Sequence, residues 1–235
     1  KRYGMLTFPF LGTLRATFRH RPDISVIVRS SEVSEPIEDT LRSIGCSTFG
    51  MDRIEVVLVC DAGRQAGFDR LGAECLNGAP LRVIPMDPAS SHSTRLNKAL
   101  RQARGRYSFI LDVCACIDRE CLQRYFQALS AEPGATAALA PDACPSAVDR
   151  RVAGMRYDGR LDYHSLLYEN PTFALNALFD TRRIRRAGGF NEAVPGTCMP
   201  AYELWLRLAR TGHRLIWMDG DILSFSRVEQ DSWHL

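Results

Sequence analysis

Lysine is nearly missing from this 235-residue chain: Lys1 and Lys98 are the only two, so arginine carries almost all the positive charge. Many guanidinium forks suit phosphate gripping, although a biased codon supply produces the same excess. A formal net charge of +3 is too small to argue for a nucleic-acid partner. C-x-x-C pairs are missing too. The eight cysteines (46, 60, 75, 114, 116, 121, 144 and 198) are scattered, which excludes a small disulfide scaffold. They read as reduced thiols, several of them filling core positions. Cys114, Cys116 and Cys121 are close enough in sequence to meet a metal, but structural zinc needs four convergent ligands. No apolar run approaches the roughly 20 residues of a spanning helix. Repeats and low-complexity tracts are also lacking.

What remains is ordinary for a globular chain: 46% hydrophobic and 24% charged residues. The start, KRYGMLTFPFLGTLRATFRHRP, has a basic tip and an apolar stretch that Gly4, Pro9 and Gly12 interrupt. It makes a poor signal peptide. It reads as a lead-in, residues 1–21, that covers a domain edge or arrives from a preceding domain or a membrane surface. The first residue is not methionine, which suggests a piece of a longer chain. A cytoplasmic location is expected, with membrane-peripheral attachment as the alternative.

The next stretch alternates strands and helices. Ile24–Val28 is a β-branched run, read as a buried strand. Pro36–Ile44 places Ile37, Leu41 and Ile44 at helical spacing. Ile54–Val59 is a second buried strand, residues 66–76 a helix, and Leu81–Ile84 a third strand. Thr94–Ala103 reads as a helix closed by Gly105, and Tyr107–Leu111 as a fourth strand. Asp118 is expected to cap a helix running to about Ser130, with a short strand at Thr136–Leu139. This order predicts an α/β fold with a mostly parallel central sheet flanked by helices. Ligands of such sheets bind beyond the carboxyl ends of the strands. Ser30, Asp61 and Asp112 all fall there, so they are expected to converge.

The second half is less regular. Residues 141–170 read as a long irregular segment facing substrate. Phe173–Phe179 is strand-like, and Thr181–Ala187 a short helix before Gly188-Gly189-Phe190-Asn191-Glu192. Tyr202–Ala209 reads as a helix and Arg214–Met218 as a strand.

In this order the pieces ISVIV, Glu55 to Gly63, RLNKALRQARGRYSFILD, IRRAGGFNEA and YELWLRLARTGHRLIWM resemble the family 2 glycosyltransferases of the GT-A fold. The resemblance runs from about Pro22 to Arg227. It implies one GT-A domain, residues 22–235, with a nucleotide-binding half at 22–140 and an acceptor half at 141–235. It also implies inverting transfer of a sugar from a UDP- or dTDP-sugar to a glycan or other hydroxyl acceptor. In such enzymes an acid after the second strand binds base or ribose. A D-x-D pair after the fourth holds Mn²⁺ or Mg²⁺ against the leaving diphosphate. A carboxylate in an E-D motif deprotonates the acceptor.

The departures from that pattern are as informative as the matches. The D-D-G-S position reads Cys60-Asp61-Ala62-Gly63, and D-x-D reads Asp112-Val113-Cys114. A neutral thiol is a poor ligand for a hard cation, so Mn²⁺ or Mg²⁺ on Asp112 is disfavoured. Pro200-Ala201 stands where E-D is usual, leaving Glu203 as the nearest carboxylate. No histidine follows in SFSRVEQ to complete a metal shell. Losing one general base costs ~10²–10⁴ in rate, and losing the clamp adds an electrostatic penalty.

The candidate site is therefore Ser30, Asp61, Asn97 and Asp112 for the nucleotide, Gly188, Gly189 and Trp205 on the sugar or acceptor side, and Glu203 as a displaced base. Each has a plainer reading: a turn cap for Asp61, a strand cap for Asp112, a helix surface for Asn97, a tight turn for the glycines. Arg182, Arg183, Arg185 and Arg186 suit a diphosphate or an anionic acceptor, or a solvated helix face. His92, His164, His213 and His234 show no ligand spacing and read as structural or surface. Two functions compete: impaired or metal-independent transfer, and an inactive pseudo-glycosyltransferase that scaffolds a partner glycosyltransferase domain. A nucleotidyltransferase lacks its phosphate loop here, and an RNA-binding role ranks lower still.

Overall fold

In the computed structural model, residues 21–30, 35–111, 115–140, 160–168, 177–196, 199–218 and 223–225 are described. Three layers form. An eight-stranded sheet has the order β3-β2-β1-β4-β8-β6-β9-β7. Its strands are β1 (Ile24–Arg29), β2 (Ile54–Asp61), β3 (Leu81–Met86), β4 (Tyr107–Leu111), β6 (Ala135–Leu139), β7 (Arg160–Leu161), β8 (Ala177–Asp180) and β9 (Arg214–Trp217). The first four pair in parallel. β8 then runs antiparallel between β4 and β6, β9 is parallel to β6, and β7 closes the edge antiparallel. A separate ribbon joins β5 (Ala115–Ile117) to β10 (Leu223–Phe225).

The strands form where the sequence is apolar on both faces, because both faces are covered. β1 and β2 alternate between two cores. Ile24, Val26 and Val28 pack with Ile54, Val56 and Leu58 under α1 (Glu35–Gly45), α2 (Gln65–Cys75) and α4 (Cys121–Ala131). Ile27, Val57 and Val59 face the other side. There lie α3 (His92–Gln102), α5 (Tyr163–Tyr168), α6 (Thr181–Arg186) and α7 (Met199–Arg210). Pro85 lies within β3, which stands at the edge of the sheet, where a missing N–H costs no ladder bond.

Most expected elements stand within two residues of their places; four differ. The helix expected from Tyr202 begins at Met199 and takes in Pro200 and Ala201. Ala115–Ile117 is a strand, which delays the following helix to Cys121. Asp118 instead caps the intervening turn, its Oδ1 accepting from the Glu120 N–H at 2.8 Å. Within the stretch read as irregular, residues 160–168 form β7 and α5. Residues 173–176 lie outside the described residues, and β8 covers the remainder of that strand.

Glycines at 45, 105 and 189 are required by space. A Cβ on Gly45 would run into the Cys75 carbonyl oxygen. A Cβ on Gly105 would stand 2.5 Å from the Ser25 nitrogen and 2.6 Å from the Tyr107 oxygen. The loop can therefore run flush against β1. Its neighbour Arg104 donates its N–H to Glu55, whose buried carboxylate also accepts from Ser25 and Arg82. Gly189 is treated below.

Candidate functional site at the carboxyl edge

β1 and β2 end side by side, with Arg29 paired to Val59 and the Ser30 N–H donating to the Val59 carbonyl at 2.9 Å. This brings Ser30, which is buried, close to Asp61 at the end of β2. By strand alternation Arg29 shares the face of Ile27, the face that α3 covers.

Asp61 is held by a residue that the sequence reading passed over. Its Oδ1 accepts from Arg95 Nη2 at 2.6 Å, with only 7% of the Arg95 side chain and 22% of that of Asp61 exposed. The same guanidinium donates to the carbonyls of Asp87, Pro88 and Ser90. Arg95 thus rivets the β3–α3 loop onto the end of β2. Ser91 caps α3, its hydroxyl accepting from Thr94 N at 3.1 Å.

Among the described residues, four buried polar atoms in this corner have no hydrogen-bond partner: Arg29 Nε, both ring nitrogens of His92, and Ser93 Oγ. Burial, then the Arg29 and Arg95 charges, lowers the His92 pKa from 6.5 to about 4. The imidazole is therefore neutral at pH 7, with one donor and one acceptor nitrogen. Buried polar atoms are normally satisfied, so this set marks a place built to meet something polar. His92 and Arg95 were missed because single polar residues in a helix's first turn look like solvated surface. The available signal was position: both lie beside strand ends, where ligands of such sheets bind, as does Arg29 at the end of β1.

The remaining expected residues gather elsewhere. Asn97 lies two positions after Arg95, so it leaves α3 on the opposite side. It accepts from the Phe190 N–H at 2.8 Å and donates to the Phe190 carbonyl at 2.9 Å and to Glu192 at 2.8 Å. The Asn97 and Thr94 hydrogen bonds hold the Glu192 carboxyl below its usual range. Gly189 has φ +67°, and a Cβ there would meet Asn97 Oδ1 at 2.4 Å. Gly188 also has positive φ, with open space beside it. Glu203 accepts from Arg207 Nε at 2.7 Å, and Arg207 donates onward to the Ala187 and Gly189 carbonyls. Asn97, Gly189, Glu203 and Arg207 together form a clasp on the 187–192 turn.

Trp205 is fully buried, its ring stacked on Phe179 at 5.2 Å and 4°. That packing places it in the core beneath the clasp. Asp112 and Cys114 lie outside the described residues. Among the described residues no group of three or more His, Cys, Asp or Glu side chains is placed to hold a metal ion. Burial pushes the Cys116 and Cys121 thiols up. At the carboxyl edge the Asp61 carboxylate is occupied by a guanidinium, and Asp87, just past β3, accepts from the Ala89 N–H at 2.9 Å. With one carboxylate and one thiol at 112 and 114, the donor set does not fit a hard divalent cation.

No known family profile matches this chain, and no curated protein matches it. Solved structures do. S. aureus TarS 1–349 superposes with a TM-score of 0.71 at 16% identity, over 88% of this chain and 61% of that one. The same protein in complex with UDP-GlcNAc gives 0.68 at 16%, over 91% and 62%. The mannosyltransferase PcManGT from Pyrobaculum calidifontis, in complex with GDP-Man and Mn²⁺, gives 0.66 at 25%, over 86% and 56%. The fold is GT-A, the fold of glycosyltransferases. This chain spans about 60% of the length of these structures. None of its helices is long and apolar enough to cross a membrane among the described residues.

Proposed function

We propose that this GT-A chain is a family 2-type domain that binds a nucleotide-sugar at the carboxyl edge of β1 and β2 and transfers its sugar weakly, without a metal. The observation that carries this reading is the corner formed by Arg29, Ser30, Asp61, His92 and Arg95. It presents unsatisfied donors and acceptors beside a fixed carboxylate, where α/β sheets bind ligands. Neutral His92 and the Asp61 carboxylate suit the hydrogen-bonding edges of a base and ribose. The Arg29 and Arg95 charges favour the adjoining diphosphate. Asp112, at the end of β4, is assigned to the same ligand. Solved relatives of this fold in complex with UDP, UDP-GlcNAc and GDP-Man support a nucleotide-sugar as the ligand class.

Metal independence follows from the donor set, in which Cys114 replaces the second carboxylate. Titration calorimetry with UDP, dTDP and GDP, each with and without Mn²⁺, tests the reading. One nucleotide is expected to bind equally well in both conditions and at least about tenfold more weakly to Asp61→Asn. Binding that strengthens with Mn²⁺ would refute the metal-independent part.

A second reading has its own observation. Pro200 and Ala201 fill the usual general-base position inside α7, with Ala201 fully buried, and Glu203 is engaged by Arg207. A domain without a free base suits a pseudo-glycosyltransferase that scaffolds a partner domain. Failure of all three nucleotides to bind would favour that role.

A further inference from the structure

The opposite edge of the sheet has a different chemistry. The amino ends of β1 and β4 and the carboxyl end of β8 lie at one level, with Ile24 paired to Tyr107 and Tyr107 to Asp180. Six exposed arginines stand around that level: Arg21, Arg101, Arg104, Arg106, Arg182 and Arg186. Backbone contacts fix their places. Arg21 donates to the Arg104 carbonyl, the Thr181 N–H to the Arg106 carbonyl at 3.1 Å, and Arg185 to the Leu100 and Ala103 carbonyls at the end of α3.

None of the six forms an ion pair with a carboxylate; the eight ion pairs among the described residues use other arginines. Of the acids of this edge, Asp23 is engaged by Arg53, Glu55 by Arg82 and Asp180 by the Arg183 N–H, while Asp52, before β2, is exposed. Positive charge thus concentrates here on a chain whose total is only +3.

Residues 1–20 lead into this edge at Arg21. They contain Lys1, Arg2, Arg15 and Arg19 and no acid, interleaved with Tyr3, Met5, Leu6, Phe8, Phe10, Leu11, Leu14 and Phe18. Basic residues mixed with aromatic and aliphatic ones are the composition that partitions into a lipid interface. Single-stranded nucleic acid wants exposed rings on which bases stack. Among the described residues the exposed large apolar side chains are Leu167 and Met199, neither of them aromatic.

We propose that this arginine edge is a docking surface for an anionic phospholipid membrane. β1, six residues long, then holds the nucleotide corner about 20 Å above the headgroups, facing the aqueous side. This inference does not depend on nucleotide binding.

Sedimentation of the whole chain with phosphatidylcholine vesicles, with and without phosphatidylglycerol, tests it. Binding is expected only with the anionic lipid and should weaken steeply as NaCl rises, because exposed charges are screened within about 8–10 Å near physiological salt. Each arginine removed is expected to lower partitioning on the order of fivefold. The pairs Arg104→Gln/Arg106→Gln and Arg182→Gln/Arg186→Gln, made separately and then together, should therefore lose affinity cumulatively. Unchanged far-UV circular dichroism and melting temperature would show that the variants remain folded. Equal binding to neutral vesicles would overturn the proposal, as would wild-type binding by the folded quadruple variant. So would tighter binding to a duplex RNA that strips the protein from vesicles.

Discussion

Replacing His92 by glutamine should flatten the acid limb of this protein's stability. The imidazole sits in the corner between Arg29 and Arg95, with burial the larger influence, and its pKa falls from 6.5 to about 4. The unfolded chain therefore binds a proton that the folded chain refuses between those values. Stability is fully present above pH 6.5 and is lost as pH falls towards 4. A difference of about 2.5 units is worth ~3 kcal/mol at the limit, of which ~2 kcal/mol is lost between pH 7 and pH 5. Urea titrations of wild type and His92→Gln at pH 7, 6 and 5 would read this as a difference of differences. Other groups titrate in the same window, His213 among them, since its pKa is lowered by burial and by Arg183 and Arg207. They cancel because both proteins carry them. The chain has five histidines, few enough to follow the His92 ring by proton NMR directly. Parallel stability curves, or a ring that titrates near 6.5, would refute the buried, unpartnered placement of His92.

Three further outcomes follow from the clasp and the β1 edge. Asn97→Ala strips the Phe190 N–H and carbonyl of their partner and should cost about 2–4 kcal/mol in chemical denaturation; a neutral result would mean the 187–192 turn is not held from α3. Glu203→Gln should lower the melting temperature by a few degrees through Arg207 while leaving nucleotide affinity unchanged. A loss of affinity there would assign Glu203 to the ligand instead. Gly105→Ala forces a Cβ to within 2.5 Å of the Ser25 nitrogen and should destabilise by about 1–3 kcal/mol or more, read by thermal melting against a Gly78→Ala control, where space is open and only a positive φ, which Gly105 lacks, opposes the side chain.

The sheet was readable because β1, β2 and β4 are apolar on both faces, which few arrangements other than a covered parallel sheet tolerate. α1 and α3 were readable from helical spacing, and the structure buries the residues that spacing selected: Ile37, Leu41 and Ile44 on α1, and Leu96, Ala99 and Leu100 on α3. β5 and β10 were not readable, since three residues carry no period and their pairing joins positions over a hundred residues apart. The site was only partly legible. Ser30 and Asp61 stand at the ends of two adjacent strands, and strand ends are local features of sequence. Arg95 reaches Asp61 across 34 positions, and Arg207 grips a turn 18–20 positions before it. Such long-range partners leave no mark on spacing.

Those two arginines also bear on what the two acids can do. Each described carboxylate left near a chemical position has a guanidinium on it: Asp61 has Arg95, and Glu203 has Arg207. A carboxylate that kept a metal or a water would need lone pairs directed at that ligand. Here the lone pairs are directed at planar forks that also brace loop carbonyls, so the acids fix loops and the loops shape the edge. Removing either arginine would leave a carboxylate unpaired in a largely buried setting and would loosen a loop at once. At the amino edge the situation is inverted. There Asp23, Glu55 and Asp180 are engaged, and the arginines Arg21, Arg101, Arg104, Arg106, Arg182 and Arg186 are in no ion pair among the described residues. An arginine-rich, lysine-poor chain thus uses the same side chain in two ways, as an internal brace where a ligand edge must keep its shape and as open charge where a surface must find an anionic partner.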